Sequence, residues 1–280
     1  MAISPIAPCD GAYGAGPNLV EAPAVQPYAF GAMSAFDVVE SNDPHDFNGI
    51  TYKSPACQAG VAEWVDDCDS GAVLPKPVTD LDRDAVVRGC PFHLITNLSC
   101  KTTTLEAMFA EARLIFELGE QRQVEAAVFT RLLVQPDVVV LNATEGIGFL
   151  QGVAVLESAI AECYPGRATL HADRGVAAYA AANRYLEKRG AGLFTPLDSK
   201  WALYAGSPNV GPDGAPAPDG HAWIWATSDV QLRRSSIDVR PDGTDHILQI
   251  GTNVPQVLVE RSYVPSRECC AFAFLICLGC

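Results

Sequence analysis

The chain has 280 residues, of which 49 % are hydrophobic and 19 % are charged. This composition supplies enough apolar side chains for one large or two modest folded domains, and it excludes an intrinsically disordered chain. The formal net charge of −14 argues against direct binding to nucleic acid or to an anionic membrane, because both need Lys and Arg facing phosphates.

Residues 1–48 are predicted to form an extended N-terminal arm. They contain six prolines among many Gly and Ala residues and show no apolar periodicity, and proline at this density disfavours helices and central strands. Residues 1–84 hold 13 acidic and three basic residues, a net charge of −10, so we expect this part to be solvated. The N-terminus lacks the basic and apolar regions of a secretory signal, and the C-terminal run AFAFLICL is too short for a helical membrane span.

Residues 49–100 are predicted to form short strands and loops. GITYKS and PFHLITNL have the pattern of strands, and the acidic, proline-containing segment between them predicts a projecting hairpin.

The strongest helical pattern covers 103–130, where apolar residues recur every three or four positions. Thr103 or Thr104 can cap its start, and a helix of this length is about 40 Å long, which suggests a spine. The opposite face is predicted to be charged, and it carries Glu111, Arg113, Glu117, Glu120, Arg122 and Glu125.

The next segment predicts an α/β layer. A second helix covers 148–163 and ends before Pro165, RATLHA is a short buried strand, and a third helix covers 174–189 with Asp173 as N-cap and Gly190 as its stop. From 191 onward the chain is β-rich, and the predicted strands are KWALYAG, HAWIWAT, VQLRRSSIDVR, QVLVERSYV and CAFAFLICL. The predicted fold class is therefore α+β.

A search for reaction chemistry gives no catalytic, cofactor-binding or metal-binding residue to propose. The sequence has no G-x-S-x-G elbow and no Walker A motif, and the GAYGAG run at 11–16 lies among prolines. DDCDSG at 66–71 lacks the later Glu of a calcium loop, so an acidic turn is favoured. His171, two residues before Asp173, is either a catalytic strand-end group or a hydrogen-bonded core histidine, and we favour the second.

The ten cysteines are predicted to be reduced thiols, because no export signal precedes them. Disulfides are the alternative if the protein later meets oxidising conditions. Cys277 and Cys280 form the one C-x-x-C pair, which is weak support for a zinc site.

Four aromatic residues can also be interpreted in two ways. Trp223 and Trp225 share one face of a predicted strand, and together with Trp201 and Tyr204 they predict core or subunit contacts rather than a ligand platform.

Several stretches resemble the major capsid proteins of tailed bacteriophages, especially those of phages infecting actinobacteria. They are GITYKSPACQAGVAEWVDDC, PFHLITNLSCKTTTLEAMFAEARLIFELGEQRQVEAAV, HADRGVAAYAA, AWIWATSDVQLRRSSIDVRPD and VLVERSYVPSRECCAFAFLICL. This resemblance implies the Hong Kong 97 (HK97)-like shell fold. The implied layout is an N-terminal arm (1–48), an extended loop over an adjacent subunit (49–100), a peripheral domain with the spine helix (101–145), an axial domain (146–225) and return strands that complete the peripheral domain (226–280).

The resemblance also implies a function. It predicts a structural virion protein without enzymatic activity or cofactor, which assembles in the bacterial host cytoplasm into the hexamers and pentamers of an icosahedral head. The head encloses genomic DNA without sequence-specific binding, and the expected partners are further copies of the chain together with portal, scaffolding and decoration proteins. The alternatives are an encapsulin-like compartment shell, a tail or decoration protein, and an α/β enzyme built around His171 and Asp173.

Overall fold

The computed structural model describes residues 25, 28–54, 87–99, 104–143, 146–240, 248–249 and 254–280. The α-helices are α1 (Ala32–Ala35), α2 (Leu105–Val128), α3 (Phe149–Cys163) and α4 (Val176–Ala182), with a 3₁₀ helix at Pro44–Asn48 and a π-helical turn at Phe129–Leu133. The strands are β1 (Asp37–Glu40), β2 (Ile50–Tyr52), β3 (Val87–Gly89), β4 (Phe92–Ser99), β5 (Val139–Asn142), β6 (Thr169–Asp173), β7 (Glu187–Arg189), β8 (Gly192–Phe194), β9 (Lys200–Tyr204), β10 (His221–Thr227), β11 (Val230–Arg234), β12 (Asp238–Arg240), β13 (Leu248–Gln249), β14 (Val254–Arg267) and β15 (Ala271–Cys277).

Helix α2 confirms the helix predicted over 103–130. The Thr104 hydroxyl accepts a hydrogen bond from the Ala107 amide at 3.3 Å, which caps the first turn. Met108, Ala112 and Phe116, each four residues from the next, are buried against β14, as the period of a helix face requires. Its 24 residues make α2 about 36 Å long.

A seven-stranded sheet in the order β5-β15-β10-β6-β9-β8-β7 separates two apolar clusters. Successive side chains of β10 point to opposite faces of the sheet, so this one strand contributes to both clusters. Trp223 and Trp225 pack in the cluster that includes the end of α2, whereas Ile224 packs in the cluster under α3. Helix α3 lies so close to the sheet that a Cβ added at Gly152 would be 2.5 Å from the side chain of Ile276.

Strand β14 organises the second, six-stranded sheet, in which the order is β1-β11-β14-β12 and both β4 and β13 also pair with β14. The pairing of β4 with β14 joins segments that are far apart in the sequence and extends over eight residues, from Phe92 opposite Tyr263 to Ser99 opposite Gln256. Helix α2 packs across this sheet. In the described part of the chain, no helix has the length and hydropathy needed to cross a membrane.

The third predicted helix, 174–189, is wrong in its bounds. Helix α4 ends at Ala182, and residues 187–189 form β7, which makes a hairpin with β8 across Gly190. Arg184 takes the left-handed conformation (φ 56°), and the Tyr185 amide donates to the Ala180 carbonyl at 2.7 Å. This is a Schellman helix end, and it was missed because that position is normally filled by Gly or Asn.

The prediction that residues 1–48 contain no helix and no central strand is wrong in its first part for residues 28–48, whereas the strand found there lies at a sheet edge. This segment contains α1, β1 and the 3₁₀ helix, and Ala32, Ala35 and Phe36 are buried in the main apolar cluster. Strand β1 pairs in parallel with β11. Pro44 is the first residue of the 3₁₀ helix, a position where the missing amide hydrogen breaks no hydrogen bond of the helix.

Three sequence motifs fall outside the described residues. They are the GAYGAG run at 11–16, the acidic segment that includes 66–71, and the PDGTDH run at 241–246, whose composition predicts a turn. The projecting hairpin predicted between the two strand-like segments also lies mostly outside, although β2 and β3 form an antiparallel pair at its base.

The cysteines correct another prediction. Disulfides join Cys163 to Cys270 and Cys277 to Cys280, and Cys269 is also disulfide-bonded. The first bond ties the end of α3 to the residue before β15, across 107 positions of sequence. The prediction of reduced thiols was based on the missing export signal, and it could not take account of side chains that only the fold brings together.

Candidate assembly surface

Helix α2 and strand β4 present a group of exposed apolar side chains, which we call the α2–β4 face. It consists of Ile95, Leu114, Ile115 and Leu118, with exposed fractions of 62, 55, 45 and 38 %. Single exposed apolar residues are common on protein surfaces, but a group on neighbouring elements is typical of a contact site. The sequence places Ile115 on the buried face of the helix, and the structure places it on this exposed face.

Gly119 opens a groove in this face. It lies in the middle of α2, and a Cβ added there would have no described atom within 4 Å. The adjoining cavity, about 390 Å³, lies between α2 and β4. Glycine inside a helix costs about 1 kcal/mol relative to alanine, and none of the described contacts within the subunit requires it. The residue therefore suits close approach by another chain.

Beneath this face, Glu120 fixes α2 to the six-stranded sheet. Its Oε1 atom accepts hydrogen bonds from the Tyr263 hydroxyl at 2.6 Å and from Arg261 Nη1 at 3.0 Å. Arg261 is buried, and its Nε donates to the Ser235 carbonyl at 2.6 Å. Burial, followed by the hydrogen bond to Glu120, raises the pKa of Tyr263 above its usual value. Tyr263 therefore stays protonated and remains a donor at any physiological pH.

Glu125, which is fully buried, anchors the N-terminal segment. Its carboxylate accepts hydrogen bonds from the Tyr28 hydroxyl at 2.6 Å, the Ala32 amide at 3.1 Å and the Ala205 amide at 2.9 Å. These donors come from the N-terminal segment and from the end of β9. One side chain of α2 therefore joins residues 28–32 to the residue after β9.

Both glutamates correct the predicted charged face of the helix. Glu125 is fully buried, and the side chain of Glu120 is only 13 % exposed. Helical periodicity gives one signal for Glu125, because its neighbours Val124 and Val128 are both buried. Helical periodicity gives no signal for the hydrogen-bond donors to Glu125, because they come from segments distant in sequence.

His171 is a hydrogen-bonded core histidine, as the sequence favours. It is fully buried, with Nδ1 at 2.7 Å from the Tyr204 hydroxyl and Nε2 at 2.8 Å from the Thr227 hydroxyl. Burial, with a smaller contribution from Arg267, lowers its pKa to about 3, so the ring is neutral at physiological pH. Asp173 is engaged elsewhere, since its Oδ1 atom accepts a hydrogen bond from the Gly175 amide at 2.7 Å.

The aromatic residues singled out in the sequence are core residues. Trp201, Tyr204, Trp223 and Trp225 are all buried, which confirms the core interpretation. They belong to both apolar clusters, because Trp201 packs under α3 and the other three pack on the opposite side of the sheet.

No metal centre is formed by the residues that the structure describes, since no three His, Cys, Asp or Glu side chains cluster suitably. The C-x-x-C pair considered for zinc is a disulfide. A cavity of about 620 Å³ beside β11 is lined by Asp37, Asp46, Asp229 and Glu268. Arg233, which also lines it, pairs with Asp46 at 2.9 Å, so the excess charge is negative and does not suit phosphate.

Comparison with known proteins gives the fold. No protein-family model matches the chain, and no curated protein matches it. Among solved structures, a chain from the capsid of a native GTA particle matches with a TM-score of 0.53 at 12 % identity, covering 99 % of this chain and 100 % of that one. The chain has the fold of a capsid protein. This confirms the resemblance indicated by the sequence, at the level of the fold.

Two phage structures give similar matches. A chain from Mycobacterium phage Adephagia has a TM-score of 0.51 at 13 % identity and covers 90 % of this chain and 91 % of that one. A chain from Gordonia phage Cozz has a TM-score of 0.50 at 11 % identity, with coverages of 92 % and 90 %. The similarity therefore extends over most of the chain and is not confined to one motif.

Proposed function

We propose that this chain is the major capsid subunit of a tailed bacteriophage, with an HK97-like fold, and that it assembles into an icosahedral head of hexamers and pentamers. The observation that carries the proposal is the match over nearly the whole chain to a protein from a particle capsid. A match confined to one domain would support the proposal less, because the rest of the chain could then carry another function. Here the match covers 99 % of this chain and 100 % of that one.

The proposed layout assigns roles to the parts of the chain. Residues 1–48 form the N-terminal arm, anchored through Glu125, and residues 49–100 form the extended loop over a neighbour. Residues 101–145 contain α2 as the spine helix of the peripheral domain, 146–225 form the axial domain, and 226–280 return to complete the peripheral domain. The length of α2, 24 residues, supports the spine assignment, and the two large sheets support two structural regions.

The α2–β4 face is proposed as a contact between subunits. It combines exposed apolar side chains with the open groove at Gly119, and contacts of this kind exclude water when a partner covers them. A closed shell repeats one such heterologous contact around its symmetry axes. The groove therefore has a use in the assembled particle that it lacks in the separate subunit.

The acidic charge suits the interior of a DNA container. A net charge of −14 per subunit repels packaged DNA and avoids trapping it, while cations screen the remainder. The proposed role is structural and includes no catalytic step. Assembly in the host cytoplasm, a place in the virion, and contacts with portal, scaffolding and decoration proteins belong to the same proposal.

The direct test is electron microscopy of the purified protein, combined with its mass in solution. We expect closed icosahedral shells of megadalton mass. A stable monomer near 29.8 kDa at high concentration would contradict the proposal. Shells purified with an enzyme cargo would favour the encapsulin-like alternative, and tubes, or binding only to preformed shells, would favour a tail or decoration protein.

Substitutions at Gly119 test the contact surface itself. Gly119→Trp fills the groove from the solvent side, so the subunit should fold normally but fail to form shells. Gly119→Ala is the matched control, and its better helix propensity should stabilise the subunit by about 1 kcal/mol. Normal shells from the tryptophan variant would remove this groove from the proposed interface.

A further inference from the structure

A second cavity, about 450 Å³, lies at the C-terminal end of α3. Its walls are the last turns of this helix, the loop 165–168 and the turn 195–199. Ile160, Ala161 and Leu197 supply apolar surface, and Glu157 supplies a carboxyl group. The cavity therefore combines apolar walls with one acidic group.

Glu157 is buried without a cationic partner among the described residues. Its exposed fraction is 6 %, and no described residue donates a hydrogen bond to its Oε1 atom. Burial raises its pKa, and the neighbouring hydroxyls of Thr195 and Ser199 offset part of that rise. A buried carboxyl group in this state is unfavourable as an anion unless a cation reaches it.

The arginine that lines the cavity is already engaged. Arg167 Nη2 lies 2.7 Å from Asp198 Oδ2, and its guanidinium group lies over the ring of Phe194, 5.7 Å from the ring centre. Asp198 is also paired with Arg189. Arg167 therefore lines the cavity without pairing with Glu157, whose carboxyl group is hydrogen-bonded by the neutral hydroxyls of Thr195 and Ser199 and by no described cation.

The mouth of the cavity is shaped by a tight turn. The Thr195 amide donates to the Ser199 carbonyl at 2.8 Å, and Asp198 has a φ of 73°. At its tip, Leu197 is 70 % exposed. An exposed leucine held on an ordered turn beside a cavity is typical of a surface that a partner covers.

We propose that this cavity receives a Lys or Arg side chain from a neighbouring copy of this chain, with its charged group at Glu157. The apolar walls fit the methylene stem of such a side chain, and the carboxylate fits its ammonium or guanidinium head. The inference rests on the proposed function, because it takes the neighbour from the shell. It adds a specific electrostatic contact between subunits.

Cryo-electron microscopy of assembled wild-type shells tests the contact directly. We expect a basic nitrogen within hydrogen-bond distance of the Glu157 carboxylate at the subunit interfaces. Shells in which the cavity is empty, or holds an apolar or acidic side chain, overturn this inference and leave the proposed function standing. A wild-type protein that forms no shells overturns the proposed function and this inference with it.

Matched variants test the energetic role. Glu157→Gln removes the charge and keeps the shape, so the separate subunit should melt at the wild-type temperature or above. Its threshold concentration for assembly should rise about tenfold or more, because the neighbour's cation loses its partner. Glu162→Gln, an exposed glutamate on the same helix, should leave both quantities unchanged.

Two results of this experiment overturn the contact. One is assembly of the Glu157→Gln variant at the wild-type threshold. The other is a fall in melting temperature that accounts for the assembly defect, which would assign Glu157 a role inside the subunit.

Discussion

The buried His171 ring predicts that the subunit loses stability at mildly acidic pH. The folded state lowers its pKa from 6.5 to about 3, so between these values the unfolded chain binds a proton that the folded chain does not. The contribution of the neutral His171 ring to the free energy of unfolding is therefore fully present above pH 6.5 and falls as the pH decreases. The slope is about 1.4 kcal/mol per pH unit, which gives a loss of about 2 kcal/mol at pH 5.

The assay is urea unfolding of the unassembled subunit at pH 7.5 and pH 5.0, for the wild type and for His171→Asn. Other carboxyl groups titrate in both proteins, so the difference between the two isolates the histidine. The variant should be less stable at pH 7.5, because the amide cannot reproduce both hydrogen bonds to Tyr204 and Thr227. We expect this deficit to shrink by about 2 kcal/mol at pH 5.0.

The control is His45→Asn, which makes the same substitution at an exposed position. Parallel pH profiles for wild type and His171→Asn would refute the reasoning. They would mean that the histidine is protonated in the folded state, or that water reaches it.

Three further predictions concern the subunit interior. Glu125→Ala should lower the free energy of unfolding by about 3–5 kcal/mol, because buried amides lose their acceptor, and limited proteolysis near Tyr28 should become faster. Removing the Cys163–Cys270 disulfide with two serines should cost about 2–4 kcal/mol, and the difference in melting temperature should disappear in reductant. Gly152→Ala should destabilise by about 1–3 kcal/mol, measured by urea unfolding, because the added Cβ meets the sheet.

Much of the fold could be predicted because local patterns determine it. Helix α2 follows from apolar residues at helical spacing, and β10 from alternation that places Trp223 and Ile224 on opposite sides of the sheet. The errors occur where a non-local contact or an unusual backbone conformation determines the structure. Arg184 ends α4 in a conformation normally left to glycine, and no periodicity contains that information.

The α2–β4 face was less predictable than the fold. Leu114 and Ile115 are apolar residues on a helix, and sequence patterns alone assign such residues to the core. Whether a face is buried depends on which element covers it, and here the pairing of β4 with β14 leaves Ile95 and the adjacent α2 surface uncovered. The buried role of Glu125 depends in the same way on donors from distant segments.

Helix α2 explains how one element can serve both the subunit and a shell. Glu120 and Glu125 make the hydrogen bonds that fix the helix to the six-stranded sheet and to residue 28 of the N-terminal segment. One to two turns earlier, Leu114 and Leu118 are exposed, and Gly119 next to them leaves open space. Because these hydrogen bonds already fix the helix in the separate subunit, a neighbour that binds to it meets a preformed surface, and little conformational entropy is lost on binding. Glu125 also holds Tyr28 and Ala32, so the proposed contact surface and the start of the described chain are fixed by hydrogen bonds to the same helix.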